Sequence, residues 1–129
     1  GYNIAKGEID WEYFIGSDLN GSAVVTEDSC LLIPVEKQFI TGNGGLLKLD
    51  PRKKPEDALV WYFPVGNLKM LSWEGGVIGS ASINDKYKPE NAKSLAAFSG
   101  IDGFLYVVDY DCLRGCECRL LSYSLLLLQ

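Results

Sequence analysis

The sequence predicts an all-β chain, on three observations. Apolar residues fall in short runs of about four to eight, bounded by glycine, proline and Asn/Asp/Ser clusters, which is the pattern of strands and turns. No ten-residue stretch holds a 3.6-residue apolar period, so no amphipathic helix is expected. The chain also echoes itself at shifts of 50 to 59 residues, and such a period marks an array of supersecondary units.

In order along the chain, the aromatic-rich stretch 9–15 is the first expected strand. Residues 22–26 and 30–35 follow as short apolar runs, separated by the turn Glu27-Asp28-Ser29. Gly42-Asn43-Gly44-Gly45 is a glycine turn, where a positive φ meets no Cβ clash, and it opens a strand at 46–49. Further strands are expected at 58–65, 77–83, 95–98 and 104–110. The polar stretch 84–93, with Pro89, reads as a loop. The leucine-rich tail from Leu120 is interrupted by Ser122 and Ser124; it is too short to span a membrane and reads as a buried strand.

Three segments recur in the same order. Trp11-Glu12-Tyr13-Phe14-Ile15-Gly16 returns as Trp61-Tyr62-Phe63-Pro64-Val65-Gly66, at a shift of 50. Gly21-Ser22-Ala23-Val24-Val25 returns as Gly79-Ser80-Ala81-Ser82-Ile83, at 58. Asn43 to Asp50 returns as Asp102 to Asp109, at 59. An insertion over 67–75 accounts for the drift. A repeat of this length with four short strands is the size of a propeller blade, which leaves its faces apolar until neighbouring blades cover them. The expected fold is therefore a partial β-propeller of about two four-stranded antiparallel blades. The chain, 1–129, is one region: a first repeat over 11–61, a second over 62–111 and a divergent tail over 112–129.

Composition narrows the chemistry. The 129 residues contain no histidine, which removes Ser-His-Asp and Cys-His nucleophiles and imidazole zinc sites. A net charge of -5 without a basic patch speaks against nucleic acid, whose affinity comes from neutralised phosphates. The one dense basic run, Arg52-Lys53-Lys54, is followed by Glu56 and Asp57 and reads as a solvated loop. The glycine turn at 42–45 lacks the Lys-Ser/Thr of a phosphate loop. Carboxylate pairs such as Glu27-Asp28 and Asp109-Asp111 read as solvated turns rather than acid/base machinery. No loop has the spaced acidic pattern of a calcium site. Asn20-Gly21-Ser22 is a formal glycosylation triplet of little weight. Cys112, Cys116 and Cys118 form C-x3-C-x-C, with Cys30 far upstream. This lacks the paired spacing of structural zinc; disulfides and free thiols both remain open, and no metal is expected.

The tryptophan strands and the segments before them resemble the quinoprotein-type (PQQ-binding-like) β-propeller repeat, in the wider group of WD40/YVTN-like propellers. In that family a blade opens on Gly-Ser-Pro-Ala, carries Asp-Gly-x-Leu-Tyr-x-x-Asp on its third strand, and runs through Thr-Gly to an outer-strand Trp that packs between blades. Gly21-Ser22-Ala23 and Gly79-Ser80-Ala81 match the first element without the proline. Asp102-Gly103-Phe104-Leu105-Tyr106-Val107-Val108-Asp109 matches the second closely, and Asn43 to Asp50 more loosely. Gly7 precedes Trp11 at the family spacing, with Lys6 for Thr and Asn3 for Asp. Between Asp50 and Trp61 the Thr-Gly is missing and the span is three residues longer. The likeness covers residues 3–111.

This resemblance implies a non-catalytic scaffold that binds protein or ligand, in the periplasm or secreted outside the cell. Its partners are then another protein or the remaining propeller blades. The alternative is a fragment of a PQQ-dependent dehydrogenase whose cofactor site lies in missing blades; PQQ and calcium are expected only then. A start at Gly1 rather than Met fits a processed end or a piece of a longer chain. Two isolated blades expose unpaired faces, so self-association is expected. Trp11 and Trp61 read as interblade packing residues. Trp73 and Glu74, in the insertion beside two glycines, are the candidate binding residues, because an exposed loop aromatic suits recognition.

Overall fold

The computed structural model describes residues 1–66 and 74–111, and the backbone of 120–125. Among the described residues ten antiparallel strands form three sheets: a two-stranded hairpin and two four-stranded sheets. The hairpin pairs β1 (Tyr2–Asn3) with β2 (Glu8–Ile9). The first large sheet takes β3 (Val24–Val25), β4 (Leu31–Val35), β5 (Gly45–Leu49) and β6 (Leu59–Pro64) in simple succession. The second takes β7 (Ser82–Ile83), β8 (Leu95–Ser99), β9 (Phe104–Asp109) and β10 (Leu120–Leu125) in the same succession. The chain is thus all-β with antiparallel sheets, as its sequence predicts. The one helical element among the described residues is a 3-10 turn, Pro55–Asp57, opened by a proline whose φ is preset.

The centres of the large sheets coincide with the expected strands; three edges do not. Of the strand expected over 9–15, only Ile9 is in β2; residues 11–15 belong to no strand. Those residues alternate inward and outward as a strand does, but no neighbour supplies a ladder. The first strand of each large sheet shrinks to two residues, 24–25 within the expected 22–26 and 82–83 within the expected 77–83. The backbone before them is used across the sheets instead: Ser22 N donates to Ser80 Oγ at 2.8 Å, and Val77 N to the Val35 carbonyl at 3.1 Å. The expected loop over 84–93 is a loop, and Gly42 takes φ +89° in its turn.

Register decides which face each side chain occupies. In the first sheet Leu32 sits opposite Lys48 and Pro34 opposite Leu46, while Trp61 and Phe63 sit opposite Lys48 and Leu46 from the other side. This front face joins the main core. Ala96, Phe98, Tyr106 and Val108 of the second sheet supply the other half of that core. Phe63 meets Phe98 and Tyr106 edge-on at 6.0 and 5.7 Å, the arrangement aromatic quadrupoles favour. The back face of the first sheet carries Leu31, Ile33, Val35, Leu47 and Leu49, which form a second cluster with Trp11, Tyr13, Ile15 and Ile40.

Close backbone approach explains two glycines. A Cβ on Gly45 would lie 2.1 Å from the Phe63 carbonyl oxygen, inside the β5–β6 ladder. Gly76, at φ +95°, bridges to Glu36, and a Cβ there would lie 2.5 Å from the Val35 oxygen. Both positions need glycine because the atom met is backbone, which cannot swing aside.

Candidate functional site

Two features of the described surface stand out: a polar seam that ties the sheets together, and an open apolar groove on the back of the first sheet.

The seam begins beside the edge strands β3 and β7, where residues that echo each other in the sequence meet. Ser22 bonds to Ser80, and Glu27 N donates to Asp85 Oδ2 at 2.8 Å; both pairs are 58 residues apart. Asp85 also accepts the Tyr110 hydroxyl, and burial followed by that carboxylate pushes the Tyr110 phenol well above its usual range. Lys88 bridges Glu27 at 2.6 Å and donates to Ser94 Oγ at 2.6 Å. A hollow of about 420 Å³ lies here, lined by Val25, Thr26, Glu27, Ile83, Asp85 and Lys86.

Lys48 is the most buried cation of the seam, 2% exposed. Its Nζ donates to Asp28 Oδ2 at 2.7 Å and to the Tyr110 carbonyl at 3.0 Å, and lies 5.0 Å from the Tyr110 ring centroid. A buried ammonium is tolerated only with partners of this kind. For Asp28, burial acts upward on the carboxyl, but the Lys48 and Thr26 hydrogen bonds and the Lys48 charge outweigh it, and the net shift is downward. The charged run after β5 is engaged as well as solvated. Arg52 grips Asp50 through two nitrogens, at 2.7 and 3.1 Å, and this hydrogen bonding holds the Asp50 carboxyl down at about 2. Among the described residues no buried side-chain polar atom lacks a partner.

Trp61 and Trp11 each bond to a neighbouring sheet's connecting backbone. Trp61, on β6, donates its indole N–H to the Tyr110 carbonyl just past β9, at 3.2 Å. Trp11 donates to the Lys53 carbonyl a few residues past β5, at 2.9 Å. Each indole therefore reaches the segment that follows the third strand of the next sheet along the chain.

The groove lies where residues 11–15 cross the back of the first sheet. Trp11, Tyr13 and Ile15 point into the sheet, with the Trp11 and Tyr13 rings stacked at 6.2 Å. Glu12 and Phe14 point away, and Phe14 is 94% exposed. Two hollows flank it. One of about 210 Å³ is lined by Tyr13, Phe14, Ile15, Leu47, Leu59 and Tyr62 among others; one of about 340 Å³ runs from Tyr13 to Leu19 and ends at Phe39, itself 71% exposed. Large apolar side chains left in contact with water in one place mark an interaction surface. Tyr62 is fixed there by its hydroxyl, which donates to the Asn43 carbonyl, and burial raises its phenol.

Of the sequence-predicted binding residues, Trp73 lies outside the described residues, as do Cys112, Cys116 and Cys118. Glu74 is exposed, immediately before Gly75 and Gly76, whose carbonyls accept Lys37 N and Ile101 N. It thus adjoins the point where the loops after β4 and β8 converge. Cys30 is a buried free thiol, its pKa raised by burial and then by Asp28. Sequence reasoning missed the groove. The signal was present in the alternation of 11, 13 and 15 against 12 and 14, which sends Phe14 outward.

No protein family, curated protein or solved structure matches this chain.

Proposed function

We propose that the chain is a non-catalytic β-propeller repeat segment of the quinoprotein type, two four-stranded blades long, acting as a protein-binding scaffold in the periplasm or outside the cell. The carrying observation is the contact between repeat-equivalent residues, Ser22 with Ser80 and Glu27 with Asp85, at the first strand of each sheet. Equivalent residues touch when a rotation axis passes close by, and in a propeller the first strand of each blade lines that axis. The two meanders of equal order and the tryptophans that reach the next sheet support the same reading. The groove around Phe14 supports binding through an open blade face.

The family's dehydrogenases hold PQQ and calcium. Among the described residues no three Cys, Asp or Glu side chains converge to hold a cation. No reaction step is assigned to the chain.

The test is to add PQQ and Ca²⁺ to the protein and follow dye reduction with alcohols and aldose sugars, alongside calorimetry for cofactor binding. Neither heat of binding nor dye reduction is expected. Saturable binding with dye turnover would replace the scaffold reading with that of a dehydrogenase segment.

A further inference from the structure

The sheets of this chain pack front to back. The front of the first sheet, with Leu32, Leu46 and Trp61, meets Tyr106 and Val108 of the second. In the repeat, Tyr106 and Val108 correspond to Leu47 and Leu49, which are on the back of the first sheet. The contact is therefore heterologous: one surface meets a different one. Such an interface leaves one unmatched copy of each surface at the two ends of the unit.

Both unmatched surfaces are partly open. On the second sheet the front carries Leu95, Ala97, Leu105 and Val107, with Ala97 opposite Val107 across the ladder and Leu105 36% exposed. On the first sheet the back is covered only in part, by residues 11–15, beside which the Phe14 groove remains. No strand pairs with 11–15 among the described residues. Trp11 nonetheless makes toward the first sheet the bond that Trp61 makes toward the second.

We infer that the groove and the front of the second sheet are two halves of one docking surface, and that its occupant is a second copy of this chain, joined head to tail. The front of the second sheet of one copy covers the back of the first sheet of the next, repeating the packing already present within each chain. The edge of residues 12–15 then adds to the outer edge of the arriving sheet, at β10. An unpaired edge beside an apolar face recruits strands in this way. The inference rests on reading the two sheets as successive blades. With about four to eight blades in a closed propeller and two per copy, closure takes about two to four copies.

The test uses the full chain and two surface variants, Phe14→Glu on the back of the first sheet and Leu105→Glu on the front of the second. Both sites are solvent-exposed, and circular dichroism with thermal melting checks that the variants remain folded like the parent. Multi-angle light scattering over a hundredfold concentration range is expected to show the parent associating into about two to four copies. Each variant alone is expected to be monomeric, while an equimolar mixture forms a one-to-one pair, because each variant keeps the surface the other has lost. A parent that stays monomeric throughout, variants that associate like the parent, or a mixture that does not pair would each overturn the inference. Those results would leave the dye-reduction test of the scaffold reading independent.

Discussion

Replacing Trp61 with alanine is expected to destabilise the fold by about 3–5 kcal/mol, a large share of a typical total of about 5–15 kcal/mol. Trp61 is 8% exposed and lies in the core shared by both sheets. Its removal leaves a cavity between two sheets that are each held at their own spacing by a ladder, so the site collapses only partly. The lost indole N–H matters less, because the Tyr110 carbonyl it serves also accepts Lys48 Nζ. Trp61→Phe is accordingly expected to cost only about 1–2 kcal/mol. Thermal melting checks both. An alanine variant that melts within a degree or two of the parent would mean that the sheets do not pack through this residue.

Asp102→Ala is expected to cost about 3–5 kcal/mol, since a buried acceptor bonded to three donors, one of them the buried Tyr106 hydroxyl, is removed at once. Asp102 is 3% exposed. It accepts Gly66 N at 2.7 Å, Phe104 N at 3.2 Å and the Tyr106 hydroxyl. The Gly66 bond joins the end of the first sheet to the turn before β9. The same change has an optical readout. Burial first, and the Asp102 carboxylate second, push the Tyr106 phenol up to about 12. A phenol raised in the folded state contributes stability that is complete below its unfolded value near 10 and lost as pH rises from there through about 12. In Asp102→Ala the burial contribution remains and the carboxylate contribution goes, so alkaline difference spectra are expected to show this tyrosine ionising at lower pH than in the parent. An unchanged titration and an unchanged melting point would remove Asp102 from the tie.

Much of this architecture is legible in the sequence where strands sit inside a sheet. There, Leu31 to Val35 and Phe104 to Asp109 combine β-branched and aromatic residues with glycine turns, and local preference agrees with tertiary pairing. The order of four strands per repeat could be read from three echoed segments. At the sheet borders the reading fails, because a strand exists only where another backbone completes its ladder. Residues 11–15 have the composition and alternation of a strand, but only Trp11 finds a backbone partner, in Gly1, and no ladder forms among the described residues.

Lys48 shows a second limit. Between Leu47 and Leu49 its alternation reads as a solvent-facing lysine on a one-sided sheet. It is buried because the second sheet covers that face, and its Nζ is bonded there to Asp28 and the Tyr110 carbonyl, both distant in sequence. Asp28 in turn looks like an ordinary turn carboxylate until the fold brings Lys48 to it. The groove is hidden for a related reason. Leu59 and Tyr62 on β6 border one hollow beside Phe14, and Phe39, after β4, borders the other, and no local pattern says that these segments meet there.

The two sheets meet through residues that echo each other in the sequence, beside the edge strands β3 and β7. Nuclear Overhauser spectroscopy on isotopically labelled protein, at concentrations low enough to keep it dispersed, tests this most directly. The account predicts cross-peaks from the Ser22 amide proton to the Ser80 side chain, and from the Trp61 indole proton to the backbone around Tyr110, from bonds of 2.8 and 3.2 Å. Intact β4–β5 and β8–β9 ladder contacts without either of these cross-peaks would contradict it.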